Sequence, residues 1–141
     1  VGFNLPKKGV LLSTGTIESK AAFLDSARKI EELGLPIYAT PNTHLFLEQN
    51  GIESTMLHQP LDSQSPNVIE ALEDGRIDLV INVPRSLERK DLTSGYLIRR
   101  KVVDYGISML TNIQAANLLV EALWEIRDPQ QMLVKPWSEY S

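Results

Sequence analysis

The segment Asp74-Gly-Arg-Ile-Asp-Leu-Val-Ile-Asn-Val83 contains the clearest buried strand of this 141-residue chain. Leu79, Val80 and Ile81 form an unbroken apolar run within it, without the alternation of a strand that has one face in water. Strands that are apolar on both faces are typical of parallel sheets covered by helices on either side. This segment therefore indicates an α/β protein.

Other apolar runs alternate with helix-like segments along the chain. The residues from Glu18 to Leu33 have apolar side chains at helical spacing, and Gly34 is a natural end for that helix. We predict strands at 9–13, 36–40, 53–57, 78–83 and 107–110, and helices at 18–33, from 42 or 43 to 49, at 68–73, 96–105 and 112–126. Residues 84–93 are predicted as a long polar connection. This order predicts a three-layer α/β/α sandwich with a five-stranded, mainly parallel sheet.

The composition is that of one ordinary globular domain, with 43% hydrophobic and 23% charged residues. The absence of cysteine removes disulfides, cysteine nucleophiles and cysteine zinc sites, and two histidines make a metal centre unexpected. A net charge of −4 argues against nucleic-acid binding through bulk charge, and no apolar run approaches the roughly 18 residues of a membrane span. We expect a linker at 1–8, the domain at 9–127 and a tail at 128–141. Because the chain starts at Val1, we favour a domain cut from a longer protein over a trimmed terminus.

Small polar residues follow four of the five predicted strands. The carboxyl ends of parallel strands lie at one edge of a sheet, where α/β proteins bind ligands. Hydroxyl and amide groups beside helix N-termini donate hydrogen bonds to anions, although the same residue types are ordinary helix caps. The polar residues at these strand ends are Ser13, Thr14, Thr16, Thr40, Asn42, Thr43, Asn82, Thr111 and Asn112.

Positive charge is concentrated in two places. Lys20 lies in the first turn of the first predicted helix, where a cation opposes the helix dipole. It is either a solvated surface lysine or a charge partner for a bound phosphate or carboxylate. Residues 85–101 contain six basic and two acidic residues, which favours an anionic ligand or partner, or a solvated helix face.

The sequence lacks the common catalytic templates. It contains neither a G-x-G-x-x-G turn after the first strand, nor a G-x-x-x-x-G-K-[ST] loop, nor a G-x-S-x-G elbow. His44 lies near the predicted ligand edge and Asp62 lies in the third crossover loop. The simpler interpretations are that His44 is a polar histidine on a helix face and that Asp62 stabilises a turn. The same structural interpretation applies to His58, the other histidine of the chain.

Two motifs stand in fixed order along the chain: the turn Thr40-Pro-Asn-Thr43 before a helix, and the strand segment at residues 74–82. They are similar to the A-T-x-x-T turn and the D-G-x-I-D-L-V-I-N strand of the methylglyoxal synthase-like domains, which have a Rossmann-like fold. Tyr96-Leu-Ile-Arg-Arg100, with residues 103–107 and 110–112, resembles the C-terminal allosteric domain of the carbamoyl-phosphate synthetase large subunit. The resemblance covers about residues 9–122.

This resemblance implies a domain that binds an effector without itself performing chemistry. The parent enzyme of that branch makes carbamoyl phosphate from bicarbonate, ATP and glutamine-derived ammonia. The resemblance implies no cofactor here, but ATP and a divalent metal in the upstream synthetase domains, and a glutaminase subunit as a further partner. The effector is a small anion: a uridine or inosine nucleotide, phosphoribosyl pyrophosphate or N-acetylglutamate. The location implied is the cytoplasm, or the mitochondrial matrix, in arginine or pyrimidine biosynthesis.

The resemblance also assigns roles to individual residues. Thr40 and Thr43 match the effector-contacting threonines of the family, and Asn82 matches the asparagine at the end of its fourth strand. Lys20 resembles the anion-binding lysine early in the first helix of methylglyoxal synthase.

Three positions depart from the N-acetylglutamate-responsive branch. Gln59 stands about where that branch has tryptophan and a nucleotide-responsive branch has lysine. Arg85 replaces a second asparagine, and Gly95 falls near a third. These changes argue against N-acetylglutamate and leave other anions open. The expected effector-binding residues are Thr14, Lys20, Thr40, Asn42, Thr43, Gln59, Asn82, Arg85, Thr111 and Asn112.

Two alternatives remain at this point. A methylglyoxal synthase-type lyase acting on dihydroxyacetone phosphate needs a histidine after the first strand and an aspartate at the head of the third helix. This chain has Ser13-Thr14-Gly15-Thr16 at the first place and Ser65 near the second. With no acid to abstract the proton, we expect the isolated domain not to be an enzyme. The other alternative is a structural or dimerising module with a vestigial pocket.

Overall fold

The computed structural model describes residues 8–60, 64–83 and 89–126, and the side chains of the last range from residue 95 onward. Within these ranges five strands alternate with five helices. The strands are β1 (Val10–Thr14), β2 (Ile37–Ala39), β3 (Thr55–Met56), β4 (Leu79–Val83) and β5 (Ser108–Leu110). The helices are α1 (Ile17–Glu32), α2 (Pro41–Gln49), α3 (Val68–Glu73), α4 (Arg89–Asp104) and α5 (Ile113–Glu125).

The strands form one sheet in the order β3-β2-β1-β4-β5, and every pair among them is parallel. The central strand β1 is buried along its whole length because it has strands on both edges and helices on both faces. Strand alternation divides its side chains between two apolar layers. Val10 and Leu12 pack with α1, α2 and α5, whereas Leu11 packs with α3 and α4. The predicted three-layer α/β/α fold is therefore confirmed.

Local signals in the sequence fix most helix ends. Thr16 caps α1 by accepting a hydrogen bond from the backbone of Ser19. Asn67 and Glu70 form a reciprocal capping box at the start of α3. Gly34 follows α1 with a φ of 83°, a left-handed conformation that favours glycine, so the predicted helix stop is confirmed.

One boundary was predicted wrongly. Residues 84–93 were expected to form a polar connection, but α4 begins at Arg89 and continues through Gly95. The apolar spacing from which the helix was predicted starts only at Tyr96. A glycine inside a helix costs only about 1 kcal/mol, which the packing of the following turns outweighs.

Some expectations concern residues outside the described ranges. These are the linker up to residue 7, the tail at 128–141, Asp62 and Arg85. In the part of the chain that is described, no helix combines the length and the apolar character needed to cross a membrane.

Candidate functional site

Buried polar residues are concentrated at one edge of the sheet. Seven polar or charged residues are buried in the described part of the chain, and only Ser26 lies away from this edge. The other six follow the carboxyl ends of the three central strands or lie in the next helical turns. We call this group the polar cluster: Ser13, Thr14, Lys20, Thr40, Thr43 and Asn82.

Two threonines join the end of β1 to the start of α2. The backbone N–H of Thr14 donates to Oγ1 of Thr43 over 3.2 Å, and that hydroxyl donates to the carbonyl oxygen of Thr14 over 3.2 Å. The two hydroxyl oxygens are 3.4 Å apart. The first turn of α2 is therefore held directly over the last residue of β1.

Thr40 occupies the N-cap position of α2 but its side chain makes no capping hydrogen bond. Its hydroxyl instead donates to Oγ of Ser13 over 3.3 Å. The capping interpretation of this threonine is thus wrong for the side chain, and the N-terminal end of α2 is left without a side-chain acceptor. That end carries the positive pole of the helix dipole.

Lys20 brings a cation to the same edge. Only 8% of this residue is exposed, and its Nζ donates to the carbonyl oxygen of Gly15 over 3.2 Å. The N–H of Gly15 in turn donates to the carbonyl oxygen of Val83 over 2.8 Å. Lys20 is the one charged residue among the buried residues of the described ranges.

Asn82 places an amide on the other side of β1. It is the register partner of Ser13 in the parallel pair of β1 and β4, so both side chains lie on the face covered by α4. A Cβ atom at Gly95 in α4 would lie 3.7 Å from Nδ2 of Asn82. A side chain as small as alanine would therefore fit at this position in ordinary van der Waals contact with the buried amide.

The polar cluster lies where the direction of strand order changes. From β1 the chain continues to β2 and β3 on one side, and β4 and β5 lie on the other side. In parallel α/β sheets, the crevice beyond the carboxyl ends of the strands at such a switch point is the usual ligand site. The geometry thus gives the polar cluster a place that suits ligand binding.

The other expected site residues that the structure describes do not belong to the polar cluster. Asn42 and Thr111 are exposed, and Gln59 is half-buried. Asn112 caps α5, because its Oδ1 accepts from the N–H of Ala115 over 3.0 Å. A role for these four residues in ligand binding stays a prediction, as it does for Arg85. Ser13 was noted among the strand-end residues but not included in the expected site; its position directly before Thr14 was the available signal.

His44 and Ser65, two of the residues weighed for a catalytic role, have hydrogen-bond partners outside the polar cluster. Nδ1 of His44 lies 2.6 Å from Oγ of Ser54, and its Nε2 lies 3.8 Å from a carboxylate oxygen of Glu48. The hydroxyl of Ser65 donates to Glu70 over 2.9 Å. Neither side chain therefore belongs to the polar cluster.

The basic stretch on α4 is partly neutralised where its side chains are described. Lys101 pairs with Glu73 over 2.9 Å, and the hydrogen bond to this carboxylate raises the pKa of Lys101 above its usual value. Arg100 lies 3.9 Å from Asp104, while Arg99 is exposed. The segment is thus an exposed helix face in this region.

Residues 22–111 match the sequence model of the MGS-like domain, and the chain belongs to this family. Among its curated relatives is the carbamoyl phosphate synthase large chain of Archaeoglobus fulgidus, 38% identical over 140 residues. That match covers 99% of this chain but 13% of the relative. The large chain of Methanoculleus marisnigri is 37% identical over 136 residues, covering 96% of this chain and 12% of the relative. The chain thus spans a small part of these relatives, and the predicted family is confirmed.

Solved structures agree with the fold. The methylglyoxal synthase of Elizabethkingia anophelis superposes with a TM-score of 0.56 at 16% identity, over 94% of this chain and 97% of that one. The crystal structure of ForH superposes with a TM-score of 0.60 at 18% identity, over 89% of this chain and 83% of that one. At such identities the likeness shows a shared fold.

Proposed function

We propose that this chain is the effector-binding regulatory domain of a carbamoyl phosphate synthase large chain and that its effector is a small anion. The observation that supports this proposal is the polar cluster, which places a buried lysine and four buried hydroxyls at the edge of the sheet where ligands bind in this class of fold. The lysine and the hydroxyls are hydrogen-bonded to the backbone and to one another, and an anion would add a charge of opposite sign beside Lys20.

The two sides of the polar cluster suit different parts of one ligand. Lys20, Thr43 and the N-terminal end of α2 offer charge and donors for a phosphate or carboxylate. Asn82 lies two strand spacings from the end of β2, which is about 9–10 Å. A ligand that uses both sides is larger than a phosphate ion, and a nucleotide has this length.

The similarity to carbamoyl phosphate synthase large chains supports the proposal that the parent enzyme is a carbamoyl phosphate synthase. The parent would make carbamoyl phosphate from bicarbonate, ATP and glutamine-derived ammonia. ATP and a divalent metal would bind in the upstream synthetase domains, and a glutaminase subunit would supply the ammonia. The effector would regulate that chemistry by binding one conformation of the synthetase more tightly than another.

Calorimetric titration tests the proposal. Uridine monophosphate, inosine monophosphate, uridine triphosphate and N-acetylglutamate are added to the 141-residue chain. We expect saturable binding of at least one of them, and at least tenfold weaker binding by Lys20→Met. The matched control is Lys29→Met, because Lys29 is a lysine of the same helix that pairs with Glu121. Absence of binding for all four anions at millimolar concentration would overturn the proposal.

The alternatives give different results in simple assays. A lyase acting on dihydroxyacetone phosphate needs a proton-abstracting acid, and the buried residues of the described part include neither a carboxylate nor a histidine. We expect methylglyoxal formation at the rate of buffer alone. A vestigial module would lose no ligand affinity on Lys20→Met, because it would have none to lose.

A further inference from the structure

Asn50 and Gly51 form the one asparagine–glycine pair of the chain, and this pair lies where α2 ends. In such a pair the side-chain carboxamide is most open to attack by the next backbone nitrogen, because glycine has no side chain to shield that nitrogen. Gly51 is exposed, and a Cβ atom built on it would have nothing within 4 Å. Solvent therefore has access to this peptide group.

The fold holds Asn50 away from the geometry that this reaction needs. Its ψ of 14° places the backbone nitrogen of Gly51 nearly eclipsed with the backbone nitrogen of Asn50. The bond geometry at Cα then directs Cβ, and the carboxamide beyond it, away from the attacking nitrogen. A five-membered ring closes only after rotation about the bond between Cα and the carbonyl carbon.

Two hydrogen bonds oppose that rotation. Nδ2 of Asn50 donates to the carbonyl oxygen of Phe46 over 2.8 Å. The backbone N–H of Gly51 donates to the carbonyl oxygen of Glu48 over 3.1 Å. The first bond engages the leaving group and the second engages the nucleophile. Both end on carbonyl groups in the last turns of α2, so both are lost when that end of the helix opens.

We propose that Asn50 is a site of spontaneous deamidation and that opening of the last turn of α2 controls its rate. In the open turn, the backbone nitrogen of Gly51 loses its proton to a solvent base and bonds to Cγ of Asn50. The bond between Cγ and Nδ2 breaks, and Nδ2 takes a proton from water and leaves as ammonia. A second water opens the cyclic imide at either carbonyl carbon, which leaves an aspartate or an isoaspartate at this position.

The product should weaken the helix in which it forms. A carboxylate replaces the amide donor opposite the carbonyl oxygen of Phe46, so an attractive contact becomes a repulsive one. A negative charge at the C-terminal end of a helix also opposes the helix dipole. The first turn of the same helix carries Thr43, so the modification site and the polar cluster share one element.

Mass spectrometry of proteolytic fragments tests the proposal. The 141-residue chain is incubated at mildly alkaline pH, both folded and in concentrated urea. We expect replacement of an amide NH₂ by OH at Asn50 in both samples, at least tenfold faster in urea. Asn42, which precedes Thr43 in the same helix, is the internal control and should react at least tenfold more slowly than Asn50 in urea. An unmodified Asn50 in urea, or equal rates in the two samples, would overturn the proposal.

The ratio of the two rates distinguishes opening of the turn from unfolding of the whole domain. This ratio equals the fraction of time for which Asn50 is free to react, and urea unfolding gives the fraction of globally unfolded chains. We expect the first fraction to exceed the second at least tenfold, since helix ends open more readily than cores. Equal fractions would show that the whole domain must unfold and would refute control by α2.

The variant Asn50→Asp measures the effect of the product on the helix. The amide hydrogen of Gly51 should exchange with solvent at least threefold faster in this variant than in the wild type. Gln49→Glu is the matched control, because Gln49 is an exposed residue of the same turn and gains the same charge. Exchange as slow in Asn50→Asp as in the control would refute the expected weakening of α2.

Discussion

Replacing Thr43 by valine tests how the polar cluster holds the end of β1. Valine has nearly the shape of threonine, so the substitution removes the hydroxyl and leaves no cavity. In the native protein this hydroxyl accepts from the N–H of Thr14 and donates to its carbonyl oxygen, each over 3.2 Å. Thr14 is 4% exposed, so water does not readily replace the lost partner.

The magnitude follows from the groups left without a partner. An unsatisfied buried donor or acceptor costs about 1–3 kcal/mol. We therefore expect Thr43→Val to lower the free energy of unfolding by roughly 1–3 kcal/mol, which for a domain of this size is about 3–10 °C in Tm. Thr43→Ser keeps the hydroxyl and should recover more than half of the lost stability. Thr43→Val should also weaken anion binding. Among the four anions of the calorimetric titration, the one that binds most tightly to the wild type should bind the variant at least tenfold more weakly.

Urea unfolding followed by circular dichroism measures the change in stability. Thr111→Val is the matched control, because Thr111 is exposed and the same change there should stay within about 0.5 kcal/mol. If Thr43→Val unfolds at the same urea concentration as the wild type, the contact between Thr14 and Thr43 contributes nothing to stability. If stability falls but anion affinity does not, Thr43 serves the fold alone.

Three further predictions concern other parts of the chain. Gly95→Ala should raise the free energy of unfolding by about 0.5–1 kcal/mol, because a Cβ fits 3.7 Å from the amide of Asn82 and alanine favours the helix; destabilisation in urea would show that the space is not open. Asn67→Ala removes the capping box of α3 and should cost about 1 kcal/mol, measured the same way, and an unchanged midpoint would contradict this. Lys101 has a raised pKa in the folded protein, so its contact with Glu73 stabilises the fold at neutral pH and is lost as pH rises through that pKa. The stability difference between the wild type and Lys101→Met should therefore shrink at strongly alkaline pH, and a difference that is constant across that range would refute the linkage.

The sheet could be predicted because its strands are short apolar runs with distinct turn signals between them. β4 and β1 are apolar on both faces, which only a strand inside a covered parallel sheet needs. The start of α4 could not be predicted by the same rule, because its first turns lack the apolar spacing and Gly95 resembles a stop. Helix boundaries of this kind depend on packing that begins several residues later.

The site could be predicted in part, since strand ends of a parallel sheet share one edge. Asn112 and Thr43 were both expected in the binding site, yet Asn112 caps α5 and Thr43 joins the start of α2 to the end of β1. An amide and a hydroxyl serve both purposes, and the sequence around them does not separate the two. Only the three-dimensional contacts show that the hydroxyl of Thr40 does not cap α2 and instead donates to Oγ of Ser13.

The hydrogen bonds inside the polar cluster are themselves an argument for a ligand. No buried side-chain nitrogen or oxygen in the described ranges lacks a partner, so the cluster is satisfied without a ligand. Its hydroxyl–hydroxyl contacts, however, measure 3.3 and 3.4 Å, well beyond the usual 2.7–2.8 Å for such pairs. An anion would replace these long neutral contacts by charge-assisted bonds, which are shorter and about twice as strong. An anion beside Lys20 could therefore replace the hydroxyl–hydroxyl contacts, while Thr43 keeps its two hydrogen bonds to the backbone of Thr14.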